Sequence, residues 1–213
     1  MGVREQARAE MTAQILAVAR TEIAEHGGGG LSMRAVARQV GLVSSAIYRY
    51  FPTREALLTA MIIESYEHLD AALGRVSAGQ PAQRWRDLAH TFRSWARQYR
   101  HEFQLIYGTP VPGYVAPPAT VPAAAAVAGH FLAAGAGQPV PAFDHDALVT
   151  QLAAPAGEFA ADPSGMAAVL AELAALIGVV GLELSGHLVG SADPADHLFE
   201  ALVERQVHTL GLA

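Results

Sequence analysis

Apolar residues recur along most of the chain at three- and four-residue spacing, the period of one helix face. Between Arg4 and His26 they are Ala7, Met11, Ile15, Val18, Ala19 and Ile23, and Gly27–Gly30 ends that pattern. Ser32 suits an N-cap for a second helix over 33–40, whose buried stripe is Val36, Ala37 and Val40. Gly41 stands where a helix usually ends in a left-handed residue. Leu42 and Val43 are expected to pack the turn. Ser44 can cap a third, short helix ending near Tyr50, and Pro52 blocks its continuation. Thr53 then caps a long helix over about 54–76, with Leu57, Leu58, Met61, Ile62, Tyr66, Leu69 and Leu73 inward.

The pattern stays helical beyond this point. Trp85, Leu88, Phe92, Trp95, Tyr99, Phe103 and Ile106 predict one helix over 82–107. Residues 109–122 hold five of the twelve prolines and read as a loop. An alanine-rich helix follows over 123–136, then a short one over 144–154 and a loop over 154–165. The most apolar helix spans about 165–189. Asp193, Pro194 and Asp196 mark the start of a last helix running to about Leu210. No strand alternation is present. The expected fold is all-α: a three-helix head over 1–54 and a larger helical body over 55–213.

Helix, glycine turn and helix over 33–50 form a helix-turn-helix unit, whose second helix enters the major groove of DNA. The side chains of GLVSSAIYRYF, residues 41–51, fit that task. Ser44, Ser45 and Ala46 lie at the tip, where small groups meet base edges without blocking entry. The hydroxyls of Tyr48 and Tyr50 can reach phosphates, and Arg49 a phosphate or a guanine edge. Ile47 and Phe51, four apart, should be buried. Arg54 places a positive charge at the next helix start, and Arg34 points to the same side. A small helical subdomain with an aromatic cluster would use many of the same residue types.

Charge sharpens the picture. The net charge is −6, which by itself argues against a polyanionic partner. It is unevenly spread. Residues 1–54 carry seven arginines and four glutamates, +3, and the rest of the chain carries −9. Every basic residue is arginine. A basic head on an acidic body suggests two tasks. With 52% hydrophobic residues the 213-residue chain can bury a sizeable core. Cysteine is absent, so no disulfide, zinc–thiolate site or thiol nucleophile is available. The nine histidines show no helical pairing suited to a metal, and no metal or cofactor is expected. MGVREQARAEM lacks an apolar signal core. The longest uncharged apolar run, residues 173–182, is too short to span a bilayer. A cytoplasmic protein with no membrane partner is expected.

GLSMRAVARQVGLVSSAIYRYFPTREALL, residues 30–58, resembles the DNA-binding domain of the TetR family of transcriptional repressors. Ser32, Ala37, Gly41, Ser44, Ile47, Tyr48, Tyr50, Phe51 and Leu57 carry the likeness. It implies phosphate contacts from Ser32, Tyr48, Tyr50 and Arg54. It implies base reading by Arg34, Ser44, Ser45 and Ala46, extending to Arg49. The family usually has lysine where this chain has Arg54, which keeps the charge and changes the geometry. WARQYRHEFQLIYGTPVPGY, residues 95–114, resembles a TetR-family C-terminal domain marked by Trp, His and Gly. Trp95 and Gly108 match, but Tyr99-Arg100 stands where a His-Pro pair is expected.

The resemblance implies a homodimer on double-stranded DNA, paired through its last two helices, and a small-molecule pocket in the body. The sequence agrees on the dimer. Gly178, Gly181 and Gly186 would let the 165–189 helix approach another, and the 194–210 helix has a wide apolar stripe. A helix buried in its own domain is the competing reading. Phe92, Trp95, Tyr99, Phe103, Tyr107 and Phe131 are pocket candidates for an apolar or aromatic effector. A plain aromatic core explains each of them equally well. Glu183 and His187, four apart, form a candidate pair for orienting a ligand, for structure or for an interface. An enzyme is disfavoured. The chain lacks a metalloprotease motif and a nucleophile–base pair, and its GGGG follows a helix and lacks a phosphate-binding lysine.

Overall fold

A computed structural model describes residues 2–213, and among them it contains helices and turns but no strand. The helices are α1 (Val3–Gly30), α2 (Met33–Gln39), α3 (Arg54–Leu73), α4 (Pro81–Gln98), α5 (Arg100–Tyr107), α6 (Val121–Gly135), α7 (Asp146–Glu158), α8 (Pro163–Leu184) and α9 (Asp196–Thr209). Single 3-10 turns lie at Ile47–Arg49, Pro118–Thr120 and Pro141–Phe143. Within α1, Gly27 is left-handed (φ 70°), so the regular helix breaks where the glycine run begins.

The chain forms two compact units that do not follow a cut at residue 54. The first comprises the residues up to Tyr66 together with His101–Val121, and the second comprises Glu67–Arg100 and Pro122–Ala213. The first unit is built on Ile15, Ala19, Ile23, Val36, Ala37, Ile47, Phe51, Leu57, Leu58 and Met61. Leu105, Val111 and Tyr114, distant in sequence, pack on this cluster, and the Tyr114 hydroxyl is 3.0 Å from Thr59 Oγ1. The second unit is centred on Trp85, Phe92, Phe131 and Phe199, all fully buried. Trp85 and Phe131 meet edge to face at 5.4 Å. Trp85 Nε1 donates to Gln206 Oε1 (3.0 Å), and Gln206 Nε2 donates to the Glu172 carbonyl (2.7 Å), so this polar pair in the core is satisfied.

Several expected boundaries move. The helix expected over 82–107 breaks at Tyr99 (φ −119°, ψ 53°) into α4 and α5. The one expected over 144–154 continues through Pro155 to Glu158. That proline removes only its own N–H from the ladder, and the acceptor residue Gln151 is exposed to water. The expected 165–189 helix starts at Pro163 behind an Asp162 cap and stops at Leu184. Gly186 is left-handed (φ 74°); its N–H bonds the Glu183 carbonyl, and His187 N–H bonds the Leu182 carbonyl. This Schellman stop puts Gly186 and His187 beyond α8, so Gly186 does not serve helix approach there. α9 begins at Asp196 rather than at Pro194, with Ala195 in the cap position. By length and composition α8 is apolar enough to cross a membrane, but half of its most apolar window is buried within the fold.

Candidate nucleic-acid interface

α2 is fixed at both ends. Ser32 Oγ accepts the Ala35 N–H (3.3 Å) at its start. At its end Gly41 (φ 73°) donates to the Arg38 carbonyl, and Leu42 donates to the Ala37 carbonyl, a second Schellman stop. The segment that follows is not the short α-helix expected. It runs as successive tight turns, Ala46 N–H to Val43 O, Arg49 N–H to Ala46 O and Tyr50 N–H to Ile47 O, with 3-10 geometry over Ile47–Arg49. Gly41 and Pro52 leave too few residues between them for a self-sustaining α-helix, and such short pieces settle as 3-10 turns.

The turns sort the side chains by exposure. Ile47 and Phe51 are buried, Phe51 N–H bonds the Ile47 carbonyl (3.0 Å), and the segment is anchored through this pair. Ser44, Ser45, Arg49 and Arg34 are exposed, and Tyr48 is 47% exposed. Ala46 is only 6% exposed, so the tight turn withdraws it from the surface where base edges would be read. Val43, expected to pack the turn, is 72% exposed beside the two serines. An apolar side chain there is suited to meeting a thymine methyl group.

Two arginines act differently from expectation. Arg54 donates Nε–H to the Leu31 carbonyl (3.1 Å) and Nη2–H to those of Gly28 (2.6 Å) and Gly29 (3.1 Å). It ties the glycine segment at the end of α1, and Leu31 after it, to the start of α3. Nε and Nη2 of the guanidinium expected to hold a phosphate thus bond backbone carbonyls. Arg8, missed in the sequence because it lies outside the helix-turn-helix, stacks over the Tyr50 ring at 5.2 Å and donates to the Arg49 carbonyl (2.9 Å). Thr53 Oγ1 accepts the Ala56 N–H (3.1 Å) at the α3 start. Nearby, hydrogen bonds from its own backbone N–H and from Thr53 lower the Glu55 carboxyl below the usual glutamate range.

The result is an exposed row of Arg34, Val43, Ser44, Ser45, Tyr48 and Arg49 on a buried scaffold. Such a surface combines phosphate donors with small groups for base edges. Residues 15–61 match the profile described as bacterial regulatory proteins, tetR family. Residues 85–206, more than half of the chain, match the tetracyclin repressor-like C-terminal domain. The chain belongs to the TetR family. Among curated relatives, the HTH-type transcriptional regulators Rv1816 of Mycobacterium tuberculosis and Mb1846 of Mycobacterium bovis are each 40% identical over 122 residues. That alignment covers 55% of this chain and 52% of each relative, so the chain spans about half the length of the curated proteins it matches. The crystal structure of SCO4313 matches at TM-score 0.82 and 30% identity, covering 97% of this chain and 100% of that one. A tetR-family transcriptional regulator from Streptomyces coelicolor matches at TM-score 0.67 and 18% identity, covering 98% and 82%, a likeness of fold alone.

The eight body residues singled out as pocket candidates do not form one pocket. Phe92 and Phe131 are core. Phe103 and Tyr107 belong to the first unit, where burial pushes the Tyr107 hydroxyl pKa strongly upward and Tyr66 packs edge-on at 5.9 Å. Glu183 accepts two hydrogen bonds from Arg93 (2.8 Å each), and Arg93 also bonds Asp196 (3.0 Å) and stacks on Phe199 at 4.6 Å. The expected Glu183–His187 pair is therefore replaced by an Arg93 clamp, because α8 ends before His187. Trp95 and Tyr99 remain; both line a cleft of about 640 Å³ in the second unit. No group of three or more metal-ligating side chains occurs among the described residues.

Proposed function

We propose that this TetR-family regulator is a one-component repressor. As a homodimer it binds a palindromic operator, and a small-molecule effector bound in the body releases it. The observation that carries the reading is the segmental sorting of residues 43–51: polar and apolar reading groups outward, Ile47 and Phe51 inward. A two-fold dimer presents two such segments to half-sites about 34–36 Å apart, or somewhat more. Release requires the effector to prefer a spacing of the heads that the operator cannot accept. Acting on chromosomal DNA, the protein would work in the cytoplasm.

Support for the dimer comes from α8. Leu170, Ala174, Gly178 and Leu182 are all exposed and recur every four residues, which makes a small apolar ridge along the helix. Leu198 adds an exposed apolar side chain on α9. The deciding experiment is selection of bound duplexes from random DNA at about physiological salt. A symmetric motif is the expected outcome. An asymmetric motif, or none, removes the palindrome and with it the two-headed reading.

A further inference from the structure

The cleft of the second unit runs between α3 and α4, and one end of it is aromatic. His68 stands 4.3 Å from Tyr99 and 6.0 Å from Trp95, ring centre to ring centre, in edge-to-face contacts. Tyr99 is half-buried there because the backbone break between α4 and α5 falls on it. Arg75 and Asp87 also line the cleft, and their charges are opposite. Arg75 lies in the turn just past the end of α3. The walls between are polar, Ser94 among them.

One atom in this wall is out of place. Trp95 is 3% exposed, and its Nε1–H is buried without a hydrogen-bond partner. The chain's other tryptophan, Trp85, satisfies its Nε1–H on Gln206. A buried donor left without an acceptor is costly and uncommon in a native structure. The Trp95 side chain that carries it lines a cleft large enough for a drug-sized molecule. The cleft residues carry no net formal charge, so an acceptor rather than a charge is what the site lacks.

We propose that the α3–α4 cleft binds a planar aromatic ligand carrying a carbonyl or carboxylate. Its ring packs against His68 and Tyr99, and its oxygen accepts the Trp95 Nε1–H. The role of this ligand as the effector rests on the repressor reading above; the binding site itself does not.

The two tryptophans make a direct test possible in the full chain. With 15N-labelled indoles there are two side-chain cross-peaks, and the Trp95 peak is identified by its loss in Trp95→Phe. The probes are 2-naphthoate and 2-naphthylmethylammonium, the same ring with an acceptor and with a donor. Millimolar 2-naphthoate should move the Trp95 peak downfield and leave the Trp85 peak in place, and the ammonium compound should not. Trp95→Phe, which breaks no internal hydrogen bond, should bind 2-naphthoate about tenfold more weakly. Tyr99→Ala should weaken binding without the loss of either cross-peak. A stationary Trp95 peak, an equal response to both probes, or undiminished binding by Trp95→Phe overturns the proposal. Retention of the selected duplex is read separately. A Trp95 response in a protein that never binds DNA removes the repressor and keeps the cleft; DNA binding with a silent Trp95 does the reverse.

Discussion

Arg54 shows how one side chain can match a motif and serve a different contact. Its charge and position fit a phosphate ligand, but Nε and Nη2 are spent on the Leu31, Gly28 and Gly29 carbonyls. Hydrogen bonds from a charged donor contribute about 1.5–3 kcal/mol each when well buried, and this site is half-buried. Lysine cannot reproduce a forked contact to three carbonyls. Arg54→Lys should therefore lower the unfolding free energy by about 1–2 kcal/mol in urea titration. Arg54→Ala, which removes the charge, should leave the slope of log affinity against log salt unchanged; loss of a phosphate ligand would reduce it by about 1. Tyr48 is the opposite case. Its ring is 47% exposed, so Tyr48→Phe should leave stability within about 0.5 kcal/mol. It should weaken operator and random duplex alike by roughly two- to tenfold in anisotropy titrations. A loss confined to one base position would instead make Tyr48 a reader.

At the scale of elements, α8 owes its start to Asp162. The carboxylate accepts from Ser164 N–H (2.9 Å), Gly165 N–H (3.0 Å) and Ser164 Oγ–H (2.6 Å). The Ser164 hydroxyl, first, and these backbone N–H groups hold the Asp162 pKa below the usual aspartate range. A depressed carboxyl pKa stabilises the fold fully above the unfolded value of about 3.9. That contribution is lost as pH falls through the folded value. Asp162→Ala should cost about 1 kcal/mol at pH 7. Asp162→Asn keeps a cap and removes the titration, so it should lose less stability than the wild type between pH 5 and pH 3. Equal losses would mean that the cap does not titrate. The same dipeptide explains what the sequence did and did not reveal. Asp162-Pro163 starts a helix where a loop was expected, whereas Asp193-Pro194, read as a start, precedes α9 by two residues. Asp196, the residue that does open α9, is bonded by Arg93 of α4, a contact no local pattern contains. Ser32, Gly41, Ile47 and Phe51 were legible because caps, left-handed stops and four-residue pairs are local. The aromatic period over 82–107 is blind to a break at one residue, Tyr99. Arg8 and Arg54 find partners 41 and 23–26 residues away, which sequence spacing does not encode.

At the scale of the whole molecule, the question is what covers α8. Leu170 is 40% exposed and Leu182 47% exposed, at the two ends of a ridge whose middle is Ala174 and Gly178. A Cβ added at Gly178 would meet nothing within 4 Å in this chain. A helical glycine with open space above it costs roughly 0.5–1 kcal/mol relative to alanine, and nothing within the protomer offsets that cost. A second copy of α8 crossing at the same place would, because small residues let two helices approach closely along their four-residue ridges. Replacing both leucines, Leu170→Glu with Leu182→Glu, touches exposed positions and should leave each protomer folded. Its mass in sedimentation equilibrium should be half that of the wild type. Its thermal midpoint should no longer rise with protein concentration, as a coupled dimer's must. Its operator affinity should fall roughly a hundredfold or more, since the second head loses the effective concentration that the first supplies. Binding to a single half-site should then survive, because the reading surface of residues 43–51 is untouched. A variant that keeps the wild-type mass would free α8 of this role and leave its exposed ridge without a second copy.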